Sequence, residues 1–191
     1  MNYSETELQG MFGSVGQDVR VHKSCVIYGG ERIHIGSHVR IDCFSVLSAG
    51  EEGISIGDHV HIAVGCCLFG SGGKIRLDDF AGISARTLLY TGTDDYVRGY
   101  MTGPTVPDKF RKVTKGDCIL NKHAVVGCGS VIMHCTLGVA VSVGALSFVN
   151  KDVPDFDIVV GVPAVKVSTR SRKILDLEKQ LREEAENAAK Q

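Results

Sequence analysis

An aliphatic residue returns about every six positions along most of this chain. In its clearest stretch these residues are Val126, Ile132, Leu137, Val143 and Val149, and glycine directly follows three of them. Neither the helical period of about 3.6 nor the strand period of 2 produces such a repeat. The pattern is typical of a chain that turns a corner every few residues and lays each short strand on the one below.

The same register appears upstream, where repeats begin at Ile35, Ile41, Ile56, Ile62, Leu77 and Ile83. We expect each leading residue to point into the narrow core of a coil. We expect the Gly or Asp after it to take the turn, where a positive φ or a self-bonding side chain costs little. Corner insertions recur at 29–32, 49–53 and 71–74, which indicates coils of roughly 18 to 20 residues. A β-sandwich would not explain the fixed phase.

Three segments depart from the repeat. Residues 132–136 are five where the repeat has six, which predicts a tightened corner. Ser4 and Glu7 have the spacing of a capping box, which predicts a short N-terminal helix. Residues 90–116 have no period but contain aromatic residues, which disordered segments lack, and so predict an ordered protruding loop that reaches a neighbouring subunit.

The pattern changes again near Ser168. Beyond it, apolar residues step by three or four, at Ile174, Leu177, Leu181, Ala185 and Ala188. This stripe predicts an amphipathic C-terminal helix, for which Ser168 or Thr169 can provide the N-cap. The sequence therefore divides into an all-β solenoid over residues 1–167 and a C-terminal helix over 168–191.

Composition narrows the function classes. The chain has 191 residues and a net charge of −1, so it is one domain without global attraction for nucleic acid or an anionic membrane surface. The N-terminus does not read as a signal peptide and no apolar run is long enough for membrane insertion, so we expect a cytoplasmic protein. The seven cysteines include no C-x-x-C pair and are expected to be reduced core residues, and no metal site is expected.

These repeats, together with SFVNKDVP at 147–154 and GVPA at 161–164, resemble the hexapeptide-repeat acyltransferases. The resemblance covers about residues 12 to 167. It implies a left-handed parallel β-helix, a homotrimer with active sites between subunits, and coenzyme A bound near the last coil. The left hand comes from the family alone, because most parallel crossovers are right-handed.

The resemblance also implies residues for coenzyme A. The small residues Gly127, Gly144 and Ala145 would let the pantetheine arm lie along the backbone. Asn150 and Pro163 belong to the end-of-coil motif, and Lys151 and Lys166 would meet the phosphates. For either lysine, a solvated surface position is an equal alternative.

The long loop carries the chemistry. In the sugar O-acetyltransferases of the family a loop histidine is the general base, but here Thr93 stands in its place and Asp94 and Asp95 follow. A hydroxyl must shed its proton as it attacks, whereas a neutral amine has a free lone pair and loses its proton late. An aspartate that orients the amine and stabilises the charge developing on nitrogen can then suffice. Asp94 is the first candidate for this role, and Asp95 is the second unless it braces Arg98 or a partner chain.

Other candidates are weaker. Ser84 would hold a substrate hydroxyl or the thioester oxygen, or is an ordinary repeat serine. His123 would act as base or oxyanion donor near a neighbour's loop, or is an exposed corner histidine. Tyr90 and Tyr96 would stack on a sugar or nucleotide base, with Arg98 beside them as a substrate-binding residue.

The sequence thus predicts transfer of an acetyl or short acyl group from coenzyme A to an amino sugar, nucleotide-linked, in surface polysaccharide or lipopolysaccharide biosynthesis. A sugar O-acetyltransferase is the main alternative. A solenoid that serves only as a non-catalytic scaffold is the minor one.

Overall fold

The computed structural model describes residues 1–188, in which short strands stack into a solenoid with a helix at each end. The helices are α1 (Glu5–Met11) and α2 (Lys173–Ala188). The strands are β1 (Ser14–Val15), β2 (Arg20–Val21), β3 (Val26–Tyr28), β4 (Ile33–Ile35), β5 (Arg40–Ile41), β6 (Val46–Ser48), β7 (Ile54–Ile56), β8 (His61–Ile62), β9 (Cys67–Phe69), β10 (Ile75–Leu77), β11 (Gly82–Ile83), β12 (Leu88–Tyr90), β13 (Gly92–Asp94), β14 (Val113–Lys115), β15 (Cys118–Leu120), β16 (Val125–Val126), β17 (Val131–Met133), β18 (Thr136–Leu137), β19 (Ser142–Val143), β20 (Phe148–Val149), β21 (Asp157–Gly161) and β22 (Ala164–Thr169).

The strands form three sheets, here called faces, that run the length of the solenoid. The first face has the order β1-β4-β7-β10-β15-β18, and the third has β3-β6-β9-β12-β17-β20. The second face has the order β2-β5-β8-β11-β16-β19-β21-β22, of which only the last pair is antiparallel. Apart from the separate β13–β14 pair and the terminal β21–β22 hairpin, every third strand along the chain returns to the same face. The predicted left-handed parallel β-helix is therefore confirmed.

The leading residues of the repeats form the core, as the periodicity predicts. The buried set includes Ile35, Ile41, Ile56, Ile62, Leu77, Ile83, Val126, Ile132, Leu137, Val143 and Val149. Each side chain packs on its counterpart in the next coil because the parallel ladders keep the strands in register. Full burial of one such aliphatic side chain contributes about 1.5–3 kcal/mol, so the stack of coils is the main source of stability.

The expectation that the Gly after each leading residue takes a positive φ is wrong. Positive φ occurs instead three positions after the leading residue, for example at His38 after Ile35 and at Arg86 after Ile83. The glycines are required by close stacking: a Cβ on Gly36 would lie 2.7 Å from the carbonyl carbon of Gly57 in the next coil. Only the absence of a side chain lets the turns of adjacent coils approach so closely.

Rings stack along the edge between the first and second faces, here called the first edge. His38, His59, Phe80 and His123 all have positive φ, and successive ring centroids are 4.7, 4.8 and 4.9 Å apart. This spacing equals the separation of neighbouring strands, about 4.8 Å. A left-handed conformation costs a non-glycine residue roughly 1–2 kcal/mol, and stacking of aromatic rings offsets part of that cost.

Helix α2 lies against this first edge and is held there by polar contacts. Glu178 accepts hydrogen bonds from Lys122 Nζ at 3.0 Å and Arg182 Nε at 2.7 Å, and its Oε2 is 2.7 Å from His123 Nε2. Arg182 also donates to Asp79 at 3.2 Å. These contacts attach the helix to the solenoid, although no described residue of α2 is itself buried.

The predictions for the two ends of the chain have different outcomes. The capping box of Ser4 and Glu7 is present at the start of α1. The proposed cap at Ser168 or Thr169 is wrong, because strand β22 continues to Thr169 and α2 begins only at Lys173. Of the predicted C-terminal segment, 189–191 lie outside the described residues. Neither α1 nor α2 combines the length and apolar character needed to span a membrane.

The third face is apolar on its outside. Its strands alternate, with Leu47, Leu68 and Leu89 pointing inward. On every strand of this face, the residues that flank the inward-pointing side chain point outward. They are Val26, Tyr28, Val46, Ser48, Cys67, Phe69, Leu88, Tyr90, Val131, Met133 and Phe148. The first face presents His34, Ser55 and Arg76 at the corresponding positions. The third face therefore differs in chemistry from the rest of the solenoid surface.

Candidate active site

The long loop leaves the solenoid at the edge between the third and first faces, here called the third edge. Strands β13 and β14 form an antiparallel pair that closes its base, and Met101 bridges to Arg111 further out. The predicted ordered loop is therefore present. At its base lies a cavity of about 460 Å³, lined in part by Tyr90, Asp94, Tyr96, Arg111, Lys115 and Met133.

Asp94 occupies the last position of β13 and lines this cavity. Its side chain is 16% exposed, and Oδ2 accepts a hydrogen bond of 2.8 Å from the backbone N–H of Gly103. Oδ1 is shielded from solvent and receives no hydrogen bond from the described residues. Among the described residues, the cation within 4 Å of this oxygen is Nη1 of Arg111, at 3.8 Å. Because an unpaired buried acceptor costs about 1–3 kcal/mol, Asp94 is suited to receive a donor from a bound molecule.

Asp95 has a different environment. Its Oδ1 accepts hydrogen bonds of 3.0 Å from the backbone N–H groups of Val97 and Arg98. These two bonds, and then the charge of Arg98, lower the pKa of the Asp95 carboxyl. Arg98 has a side chain 70% exposed and contacts Asp95 Oδ2 at 3.8 Å. The structure thus places both residues in a turn of the loop, which agrees with the bracing alternative for Asp95.

Ser84 and His123 lie away from this cavity within one chain. Ser84 is at the edge between the second and third faces, here called the second edge, just before β12. His123 is only 5% exposed, because it stacks on Phe80 and contacts Glu178 on the first edge. The expectation of an exposed corner histidine is therefore wrong. Within a single chain, neither residue reaches Asp94.

Four of the predicted coenzyme A residues meet at the C-terminal end of the solenoid. Asn150, Lys151, Pro163 and Lys166 line a cavity of about 290 Å³ under the β21–β22 hairpin. Lys166 Nζ is 2.6 Å from a carboxylate oxygen of Asp157, so its charge is already paired.

The other three lie on the second edge. Ala145 is exposed, and a Cβ on Gly127 would lie 2.4 Å from its backbone nitrogen. A Cβ on Gly144 would lie 2.3 Å from the Val160 side chain. Stacking of the coil backbones thus by itself requires glycine at 127, whereas at 144 the close contact is with a side chain.

Several cavity residues escaped the sequence analysis. Met133 could have been predicted from the repeat register, because β17 pairs with β12 and thereby places Met133 beside Tyr90. Arg111 and Lys115 come from the return arm of the loop, where no period exists to align them with Asp94. Among residues 1–188, no group of His, Cys, Asp and Glu is arranged to hold a metal ion.

A curated relative decides the family. The chain is 41% identical over 176 residues to an Escherichia coli dTDP-4-amino-4,6-dideoxy-D-glucose acyltransferase, and the match covers 91% of both chains. The chain belongs to the hexapeptide-repeat acyltransferases. No protein-family model matches it.

Solved structures agree with this assignment. An AntD variant, an N-acyltransferase from Bacillus cereus in complex with dTDP and coenzyme A, superposes with a TM-score of 0.91 at 39% identity, covering 96% of this chain and 98% of that one. The structure of AntD with dTDP and 3-hydroxybutyryl-CoA superposes with a TM-score of 0.90 at 39% identity, and the match covers 97% of this chain and 98% of that one. A hexapeptide-repeat acetyltransferase from Vibrio cholerae shares the fold at 24% identity and a TM-score of 0.57, covering 88% and 79%.

Proposed function

We propose that this acyltransferase moves an acetyl or short acyl group from coenzyme A to the amino group of a nucleotide-linked amino sugar. The observation that carries the proposal is Asp94, whose carboxylate lines the loop cavity with one oxygen that receives no hydrogen bond from residues 1–188. The E. coli relative and AntD support the substrate class, because the one is named for a dTDP-linked amino sugar and the other was solved with dTDP and acyl-CoA.

The reaction needs an oriented amine more than a strong base. The neutral amine attacks the thioester carbonyl carbon, a C–N bond forms, the C–S bond breaks, and coenzyme A leaves as the thiolate. The nitrogen sheds one proton, which finally resides on the coenzyme A sulfur, so atoms and charge balance. Asp94 accepts an N–H of the amine, directs its lone pair toward the carbonyl, and stabilises the positive charge that grows on nitrogen.

The remaining cavity residues suit a sugar nucleotide. Tyr90 and Tyr96 offer ring faces for a sugar or base, and Tyr96 is exposed enough to rearrange on binding. Lys115 supplies a cation for a phosphate. Coenzyme A binds along the second edge and the terminal cavity, with Lys151 near its phosphates.

We further propose a homotrimer, with active sites between subunits. The apolar third face separates the second edge, which carries Ser84, from the third edge, which carries the loop and Asp94. Copies that bury this face against one another bring Ser84 of one subunit toward Asp94 of the next. His123 lies on the first edge, opposite the third face, where Glu178 holds it.

The acceptor test compares the amino and hydroxy forms of one sugar, free and nucleotide-linked, with acetyl-CoA. We expect transfer to the nucleotide-linked amine, and a D94N protein should lose at least about tenfold in turnover, the scale of one proton-handling group. Transfer to the hydroxyl form alone would refute N-acylation and favour the O-acetyltransferase, although Thr93 stands where that mechanism has its histidine. The absence of any coenzyme A-induced rise in melting temperature would favour the scaffold.

Mixed trimers test the shared site. Differently tagged S84A and D94N chains are co-expressed and purified through both tags. If sites lie between subunits, mixed trimers contain some sites with both wild-type residues and regain activity that neither variant has alone. Mixed trimers no more active than the two parents would contradict the arrangement, as would a monomer in solution.

A product of this kind is a building block for surface polysaccharides such as lipopolysaccharide, and we assign the enzyme to that biosynthesis. We place it in the cytoplasm, where the seven free cysteines of the chain would remain reduced.

A further inference from the structure

We infer that Arg111 is a positioning residue that holds the Asp94 carboxylate in its reactive orientation. This inference rests on the proposed function and adds a residue that neither the sequence pattern nor the repeat register indicates. Arg111 lies on the return arm of the loop, 17 positions after Asp94, and its side chain is 22% exposed at the wall of the cavity.

A closed set of contacts joins Arg111, Gly103 and Asp94. The N–H of Gly103 donates to Asp94 Oδ2 at 2.8 Å, and the C=O of Gly103 accepts from Arg111 Nη1 at 3.5 Å. The same Nη1 is 3.8 Å from Asp94 Oδ1. Gly103 is thus bound through both its N–H and its C=O, and Arg111 supports the carboxylate both through Gly103 and directly by its charge.

Local geometry explains why these residues occupy their positions. Gly103 has a φ of +100°, in the region that favours glycine, which turns its N–H toward Asp94. Arg111 is held on its outer side, where Nε donates to Asp108 Oδ1 at 2.9 Å. The Asp108 side chain is 90% exposed, so this outer contact is screened by water.

The consequence for catalysis is specific. Without Arg111, the C=O of Gly103 loses its hydrogen-bond donor, and Asp94 loses its neighbouring cation. The carboxylate then samples orientations that do not direct the amine at the thioester. Because a positioning error acts on the chemical step, turnover should fall while acceptor binding changes little.

A double-mutant cycle tests the inference. Turnover and acceptor KM are measured for wild type, R111Q, D94N and the double variant, with R111K and D108N as controls. R111Q should lower kcat about tenfold and change KM less than twofold. In the D94N background R111Q should change kcat less than twofold, because its effect passes through Asp94. R111K should retain part of the activity through its charge, and D108N should stay within about twofold of wild type.

The outcomes separate the two proposals. Equal losses from R111Q in both backgrounds, or a raised acceptor KM with unchanged kcat, would mean that Arg111 contacts the acceptor directly and would overturn the inference alone. A fully active D94N protein would overturn both the role of Asp94 and the inference. A crystal structure of R111Q gives a readout without turnover: we expect the 2.8 Å contact from Gly103 to Asp94 to be lost, and its retention would contradict the inference.

Discussion

Replacing one carboxylate, Glu178, should loosen helix α2 from the solenoid. No described residue of this helix is buried, so its attachment depends on polar contacts more than on apolar packing. Glu178 is 10% exposed and gathers Lys122, His123 and Arg182 around its two oxygens. The E178Q substitution keeps the size of the side chain and removes its charge.

The free energy that the charge of Glu178 contributes follows from the pKa of this side chain. Burial would raise this pKa, but hydrogen bonds from Arg182, His123 and Lys122 outweigh burial and lower it from 4.5 to about 2. Because the folded pKa is below the unfolded one, the stabilisation is present above pH 4.5 and is lost as pH falls toward 2. The shift corresponds to at most about 3–4 kcal/mol. Lys122 and Arg182 are partly exposed and screened by solvent, so we expect about 1–2 kcal/mol.

Hydrogen exchange of the α2 amides, corrected for intrinsic rates at each pH, measures this attachment. At pH 7, E178Q should lower the protection free energy of α2 by about 1–2 kcal/mol, and the difference from wild type should shrink as pH falls below 4.5. E183Q is the matched control, because Glu183 forms an exposed pair with Lys179 on the same helix. This substitution should change the protection free energy of α2 by less than about 0.5 kcal/mol. Equal effects of the two substitutions, or a difference independent of pH, would refute the reasoning.

Three further predictions concern the solenoid. Leu68→Ala, at a fully buried core position, should lower the free energy of unfolding in urea by about 2–5 kcal/mol, and a loss below 1 kcal/mol would show that the coil collapses around the cavity. Gly127→Ala should lower the melting temperature more than Gly82→Ala does, because the new Cβ would lie 2.4 Å from backbone at the first site and 3.6 Å at the second; equal shifts would contradict the packing argument. An aromatic disulfide reagent should label exposed Cys128 first and Cys66 only on unfolding, since burial raises the pKa of the Cys66 thiol to about 11; a C128S protein that still reacts quickly would disprove this order.

Part of the candidate site was predictable from the sequence, and part was not. Asp94, Tyr90 and Tyr96 could be named because the repeat ends at Tyr90 and leaves them at the start of a long aperiodic segment. For Asp94, the resemblance to the acyltransferases was also needed, because it aligns the family's loop histidine with the neighbouring Thr93. Arg111 and Lys115 could not, because the return of a loop has no register, and many loop conformations would place its cations elsewhere. His123 was identified as a corner residue, but its ring neighbours and Glu178 come from other coils and from a helix 55 positions away.

By itself, the sequence determined the solenoid. A six-residue apolar period is satisfied locally in each repeat, and burial of one residue per short strand permits few other folds. It also determined where glycine must stand, but not why. Only the stacked coils showed that those glycines admit a neighbouring backbone, while the positive φ angles at the corners of the coils fall mostly on other residues, such as His38, Phe80 and Arg86. The tertiary structure alone decided the surroundings of Asp94, because Gly103 and Arg111 reach it only through the closure of the loop, a long-range contact that no local pattern encodes.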